Sequence, residues 1–499
     1  MARSFGWSAY GPGGAPVGGV PAGGDLRPEL ADVGRLARRG LRAVVGAARA
    51  GERPTLHAIL TEHLGAGAGA YDVVEETWPA YDHVNVQAGL DAWLSDPSRS
   101  WELVGVVGYQ HRPFGLGELL ADGELSGDPF GPRPGNASSA NLAAGPDGAV
   151  RPCVRCGLYL VTEGDVRTAV LVRGPEPEMG VIVTAVHLVS TGPGVAPRAA
   201  AEIRAAALEH NVFRGQVLSF GQEVFGHGQT LLRFHRRPTM AAGQLILAAE
   251  TLAEIQRQVV EVARHKDRLL AAGQHLKRGL LLYGPPGTGK THTVRYLMSN
   301  LAGTTVLQLT GRALHLIAEA CSVARALQPA MLVIEDVDLI AEDRGMHPGE
   351  HPLLFQLLNE MDGLAEDADV VFVLTTNRAD LLEPALAARP GRIDQAVVLE
   401  LPDLDARRAL FELYRGQLPV DTARLDDVLA RTEGVTASFL KELLRRAALL
   451  AATRDPDGEL TVSAGDLQRA LDELLDTRNA MTRTLLGAGG RDSAAASYL

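Results

Sequence analysis

"GLLLYGPPGTGKTHTV", residues 279–294, sets an apolar run against a glycine-rich turn and then a helix-compatible stretch. Within it, Gly284-x-x-x-x-Gly289-Lys290-Thr291 has the spacing of a phosphate-binding loop between a strand and a helix. Glycines let backbone N–H groups approach an anion, and the helix N-terminus adds partial positive charge. The candidate nucleotide-binding residues are therefore Gly284, Pro285, Pro286, Gly287, Thr288, Gly289, Lys290, Thr291 and His292. Lys290 is spaced to reach β- and γ-phosphates, and Thr291 to offer its hydroxyl to Mg2+. Only four lysines stand among 48 basic residues, Lys266, Lys277, Lys290 and Lys441, so arginine is this chain's default cation. A lysine at this place marks a site where a forked guanidinium would not fit. A glycine-rich turn without a ligand is the plain alternative, and the strand–loop–helix context speaks against it.

The next decisive stretch is "MLVIEDVDLI", residues 331–340, four apolar residues running into Glu335 and Asp336 about 45 residues after the loop. A further apolar run, "VVFVLTTN", ends at Asn377, a polar group suited to orienting an attacking water. "LEPALAARPGRID" then presents Arg389 and Arg392 on one short segment. Each piece alone has a bland reading as a strand end, a helix cap or two surface arginines. In this order they point to nucleotide hydrolysis.

With these motifs the stretch Leu252–Leu475 resembles the AAA family of ring ATPases. The matching segments are "GPPGTGKT", "NEMDGL", "TTNR", "LEPALAARPGRID" and "TEGVTASFLKELLRRA". The likeness is to the protein-directed branch, the FtsH-type, Cdc-type and proteasomal ATPases. It implies an α/β P-loop domain, a parallel sheet with flanking helices, followed by a helical lid. It also implies a homo-hexamer holding ATP and Mg2+ between neighbours. Arg389 and Arg392 would then act in trans on the adjacent subunit's nucleotide. Gly434 and Ser438 would lie in the lid segment beside the adenine.

Two departures from the family pattern stand out. The family's usual order is Asp then Glu, for magnesium and water respectively, whereas here Glu335 precedes Asp336. Neighbouring strand residues face opposite ways, so position rather than identity assigns the roles. Glu335, with Thr291, takes the metal side and Asp336 the water. Each side chain is off by one methylene, which predicts a working but slowed hydrolase. The second departure concerns the aromatic–hydrophobic–glycine pore loop of ring translocases. Here the corresponding connection, "LTGRALHLIAEACSVARALQPAMLVIED", is several residues shorter, and no Phe, Tyr or Trp lies between Leu297 and Leu354. Threading of a polypeptide by aromatic paddles is therefore not expected.

At 499 residues the chain has room for several domains. Residues 1–24 are about a third glycine and are expected to be disordered. Residues 25–242 are expected to form an α+β region that binds a protein client or partner. Its part to Leu120 reads as mostly helical, and a Gly/Pro/Asn-rich linker follows near 121–148. Strand-like runs "GLYLV", "RTAVLV" and "GVIVTAVHLV", then a helix and the strands "GQVLSF" and "TLLRF", complete it. The ATPase domain is placed at 243–403, the lid at 404–480, with a capping box at Ser463–Asp466, and a flexible tail at 481–499.

A net charge of −12 argues against a nucleic-acid partner. Apolar runs stay short of the roughly 18 residues of a membrane span, and the three cysteines make no disulfide framework, so a cytoplasmic protein is expected. Cys153-x-x-Cys156 is half a zinc site or two free thiols, and the 14 histidines show no H-E-x-x-H spacing. The basic run Arg233–Pro238 reads as a linker anchor. The C-terminal Tyr498-Leu499 resembles the ends of ATPases that dock on proteasome core particles, although Ser497 stands where that motif has an apolar residue. The leading expectation is an ATP-driven remodeller of a protein client. The alternative is an ATP-dependent switch or scaffold that translocates nothing. A DNA-handling relative of clamp loaders fits the charge less well.

Overall fold

The computed structural model describes residues 54–65, 67–110, 114–121, 131–222, 230–338, 352–379 and 393–476. Residues 1–24, Arg389, Arg392 and Tyr498-Leu499 lie outside them.

Two seven-stranded sheets organise the described residues. The first is antiparallel and runs β1 (Val74–Pro79), β7 (Val183–Ser190), β6 (Val166–Arg173), β5 (Val150–Glu163), β2 (Arg99–Val107), β3 (Arg133–Gly135), with β4 (Ser138–Ala143) also on β5. Both its faces are covered. Cys156, Leu158, Ala169 and Leu171 pack with Leu56, Leu60, Leu64 and Leu116 on one side. Tyr159, Val161, Val170 and Val172 pack with Leu90, Trp93, Ala199 and Ile203 on the other. A strand buried on both faces keeps apolar residues at consecutive positions, which is why "GLYLV" and "TAVLV" show no polar alternation. The Glu-Gly-Asp turn closes β5 onto β6 as a two-residue loop, with Glu163 opposite Val166 and Gly164 at φ +58°.

In this half the described residues add to one sequence expectation and correct two. The stretch to Leu120, expected to be mostly helical, has helices at Leu56–Leu64, His83–Leu94 and Leu116–Leu120 but also contains β1 and β2. The half-buried alternation of "VEETWP" was masked by the helix-forming residues around it. The linker expected near 121–148 holds β3 and β4, which pair with β2 and β5. Main-chain pairing along a sheet asks for little apolar pattern, and most of β4 is exposed. "GQVLSF" and "TLLRF", assigned to the N-terminal region, belong instead to the second sheet.

That second sheet runs β14 (Gln395–Val398), β10 (Arg278–Tyr283), β13 (Val370–Thr376), β12 (Ala330–Ile334), β11 (Thr305–Leu309), β8 (Val217–Gln222), β9 (Thr230–His235). The first six are parallel, and β9 returns antiparallel on β8. β12 and β13 are buried along their whole lengths. The lid comprises helices Leu404–Arg415, Leu425–Arg431, Ala437–Arg454 and Ala464–Leu475 around Phe411, Phe439, Leu443 and Leu471. Its last helix opens with the expected capping box: Ser463 Oγ accepts from the Asp466 N–H at 3.2 Å, and Ser463 N–H donates to Asp466 Oδ2 at 3.1 Å.

The two sheets share one apolar core, in which Val84 and Cys153 join Phe213, Leu218 and Phe220. The Tyr81 ring lies 6.5 Å from those of Phe213 and Phe220, and Val212 N–H donates to Asn85 Oδ1 at 2.9 Å. Cys153 and Cys156 fall in two different cores, and burial pushes both thiols up to about 12. Neutral thiols aimed into separate apolar clusters do not make a zinc pair. Among the described residues no helix is long and apolar enough to cross a membrane.

Candidate nucleotide site

The parallel strands bring their carboxyl ends to one edge, and the candidate residues gather there. β10 ends at Tyr283, and Gly284 turns the chain at φ +147°. A Cβ at that position would meet the Leu399 carbonyl oxygen at 2.4 Å, so only glycine lets the loop pass β14. Gly287, at φ +82°, backs onto the lid, where a Cβ would stand 2.9 Å from Thr436 Oγ1 and 3.1 Å from Ser438 Oγ. Ser438, expected beside the nucleotide, is therefore held against the phosphate loop, and Gly434 turns at φ +76° two residues before the Thr436 N-cap.

Within the loop, the Thr288 hydroxyl donates to the Pro285 carbonyl at 2.9 Å. Lys290 opens the helix Lys290–Asn300, and its Nζ donates to the Gly284 and Pro285 carbonyls at 2.6 and 2.9 Å. Burial lowers the ammonium's pKa, and the nearby Asp336 and Asp338 carboxylates oppose that shift. The loop thus holds its cation folded across its own backbone, where phosphate oxygens would compete for it. His292 is exposed, with Nε2 3.1 Å from the Gln244 carbonyl. It ties the helix to the segment before it, where Leu245 and Leu247 join the ATPase core and Ile246 the lid core.

The two acids that follow β12 have different partners. The Thr291 hydroxyl donates to Glu335 Oε2 at 3.1 Å, so the two groups expected to hold Mg2+ stand together. Burial raises the Glu335 carboxyl, and the Thr291 hydrogen bond lowers it in part. Asp336 leaves the strand at φ +53°, a left-handed conformation that Asp tolerates better than most residues. It is held there by its own N–H to Thr375 Oγ1 at 3.1 Å and by Val337 N–H to the Thr375 carbonyl at 2.9 Å. Asn377 Nδ2 lies 3.5 Å from Asp336 Oδ1, so the two proposed water-side groups face each other.

The structure adds one acid that the sequence reading left out. Asp338 is 8% exposed, and its Oδ1 accepts from the Thr376 hydroxyl at 2.8 Å and the Asn377 N–H at 3.3 Å. Asp338 stands in "EDVD", but the partners that mark it lie 38 and 39 positions later. Among the described residues no group of three or more His, Cys, Asp or Glu forms a metal cage. Magnesium does not need one. It is held by one or two hard oxygen ligands, with phosphates and waters completing its shell, and Thr291 with Glu335 fits that donor set.

Residues 280–401 match the family described as ATPase family associated with various cellular activities (AAA). They form an AAA domain. Similar proteins include ATP-dependent zinc metalloprotease FtsH 2 of Sphaerobacter thermophilus, 38% identical over 242 residues, 46% of this chain and 36% of that protein. FtsH 4 of the same organism is 33% identical over 288 residues, covering 54% and 43% of the two chains. FtsH 1 of Thermomicrobium roseum is 30% identical over 265 residues, covering 50% and 40%. This chain spans less than half the length of these curated relatives. Beyond the five strands β14, β10, β13, β12 and β11, β8 and β9 extend the sheet past β11. The connection from β11 is also distinctive. Gly311–Leu316 is a 3-10 turn packed against β8, with Ala313, Leu314 and Leu316 buried.

Proposed function

We propose that this chain is a self-associating, Mg2+-dependent ATP hydrolase that uses the nucleotide cycle to change the shape of a protein assembly without threading a polypeptide. The observation that carries hydrolysis is the division of labour at the strand ends. Thr291 and Glu335 stand together 3.1 Å apart, while Asp336 turns away toward Asn377. Bound Mg2+ would supply charge neutralisation at the β- and γ-phosphates, held by Thr291 and Glu335. Lys290 would exchange the Gly284 and Pro285 carbonyls for phosphate oxygens. Asp336 would accept the attacking water's proton, with Asn377 orienting that water. Arg389 and Arg392 are assigned to the neighbouring subunit's nucleotide, which makes assembly a condition of fast turnover.

The buried 3-10 turn Gly311–Leu316 supports the switch over the translocase. A pore paddle must project from a free loop, whereas this connection places its apolar side chains in the core shared by both sheets. That same core ties the N-terminal sheet to the ATPase sheet through Tyr81 and Val84, which gives a nucleotide-driven movement a rigid path to the partner-binding half. A threading motor remains the competing reading, favoured by the arginine pair. Phosphate release by the purified chain tests the proposal. It should depend on Mg2+ and be abolished in Lys290→Ala, and equal ATP affinity and turnover in that variant would remove its basis.

A further inference from the structure

A carboxylate at 8% exposure is costly unless its oxygens are engaged. Asp338 Oδ1 takes both of its hydrogen bonds from the segment that ends β13: the Thr376 hydroxyl at 2.8 Å and the Asn377 N–H at 3.3 Å. Thr376 is itself fully buried, and its Oγ1 accepts from the Arg378 N–H at 2.9 Å. The preceding residue, Thr375, holds Asp336 N–H and Val337 N–H. The turn 336–338 and the end of β13 are thereby laced together from both sides, with the Asp336–Asn377 pair at the open end of the lacing.

We propose that Asp338 is a positioning residue for ATP hydrolysis, fixing the backbone of Asn377 so that its amide and the Asp336 carboxylate share one water. The assignment rests on the hydrolase reading above. Asp338 reaches the reaction through Asn377, and what it contributes is a pair of accepted hydrogen bonds. An amide oxygen in the same place would accept both, so the negative charge is dispensable.

The test compares the full chain with Asp338→Ala, Asp338→Asn and Thr376→Val, measuring kcat and KM with Mg-ATP and, separately, the Kd of a fluorescent ATP analogue. A displacement of about 1 Å costs about 100-fold in rate, so Asp338→Ala should lose about that factor in kcat with Kd unchanged. Asp338→Asn should restore most of it. Thr376→Val, close in volume and lacking the donor, should lower kcat less and leave Kd alone, and it serves where the alanine variant fails to fold. Wild-type kcat in Asp338→Ala or in Thr376→Val overturns the proposal. Asp338→Asn as slow as Asp338→Ala overturns it too, because charge would then be what matters. Loss of Kd in step with kcat would also overturn it, leaving a merely structural carboxylate. A wild-type chain with no turnover overturns the hydrolase reading first, and is told apart by the parent protein alone.

Discussion

In the parallel sheet β10, β12 and β13 run the same way, so Gly284, Glu335 and Asn377 arrive at one edge although 93 positions separate the first from the last. In the antiparallel sheet successive strands end at opposite edges, and several polar side chains on the helices packed against it bond its main chain. His83 Nε2 lies 3.0 Å from the Val154 carbonyl, and Gln87 Oε1 accepts from the Val154 N–H at 2.9 Å. His63 Nε2 lies 3.2 Å from the carbonyls of both Val161 and Thr168. One sheet leaves polar groups at aligned ends where a ligand can meet them, and the other takes up His83, Gln87 and His63 of its flanking helices as partners of its own main chain. The difference teaches where to look for chemistry in this chain, and it can be broken by experiment.

The largest effect is expected on nucleotide turnover. Arg389→Ala should cut hydrolysis by about 1,000-fold with ATP binding intact, the scale of a trans arginine. Steady-state turnover checks it, and recovery of partial activity on mixing with Lys290→Ala subunits places the arginine across an interface. In the antiparallel sheet, the counterpart is structural. Leu158, fully buried, should cost about 2–5 kcal/mol when changed to Ala, read as a lower denaturation midpoint, with the nucleotide Kd unmoved in the folded protein. A shifted Kd would mean the antiparallel sheet contributes to the site.

A smaller effect separates the two sheets by pH. Burial pushes His83 down to about 4, against an ordinary value of 6.5. As pH falls below 6.5, the unfolded chain takes up a proton that the folded chain refuses. The stability His83 contributes is therefore present above 6.5, lost as pH falls toward 4, and flat below it, on the order of 3 kcal/mol in all. Equilibrium unfolding across that window should show the slope, and His83→Gln should flatten it. An unchanged slope in that variant would locate the sensitivity elsewhere.

The legibility of the sequence follows the same division. The phosphate loop and the ends of β12 and β13 were visible because nucleotide chemistry demands particular residue types at fixed spacing beside buried strands. The lid's capping box at Ser463 and Asp466 was visible for the same local reason. β1 was hidden because "VEETWP" is short and flanked by helix formers, and β3 and β4 because Gly, Pro, Ser and Asn favour loops, so their pairing with β2 and β5 is a tertiary outcome. "GQVLSF" and "TLLRF" read as strands of the N-terminal region, but β8 pairs with β11 and β9 with β8, a pairing set by tertiary contact and absent from the local pattern. Asp338 was missed because its meaning depends on Thr376, 38 positions later.

We propose that position, not identity, divides the two acids that follow β12, and ATP trapping in variants of each tests the proposal. Asp336→Asn and Glu335→Gln should be incubated with Mg-ATP, and bound nucleotide and released phosphate measured over a range of Mg2+ concentrations. Asp336→Asn should retain ATP while turnover falls by about 100-fold or more, because an amide does not accept the water's proton. Glu335→Gln should need more Mg2+ and recover turnover as Mg2+ rises. Trapped ATP in Glu335→Gln, beside near-normal turnover in Asp336→Asn, would contradict the proposal.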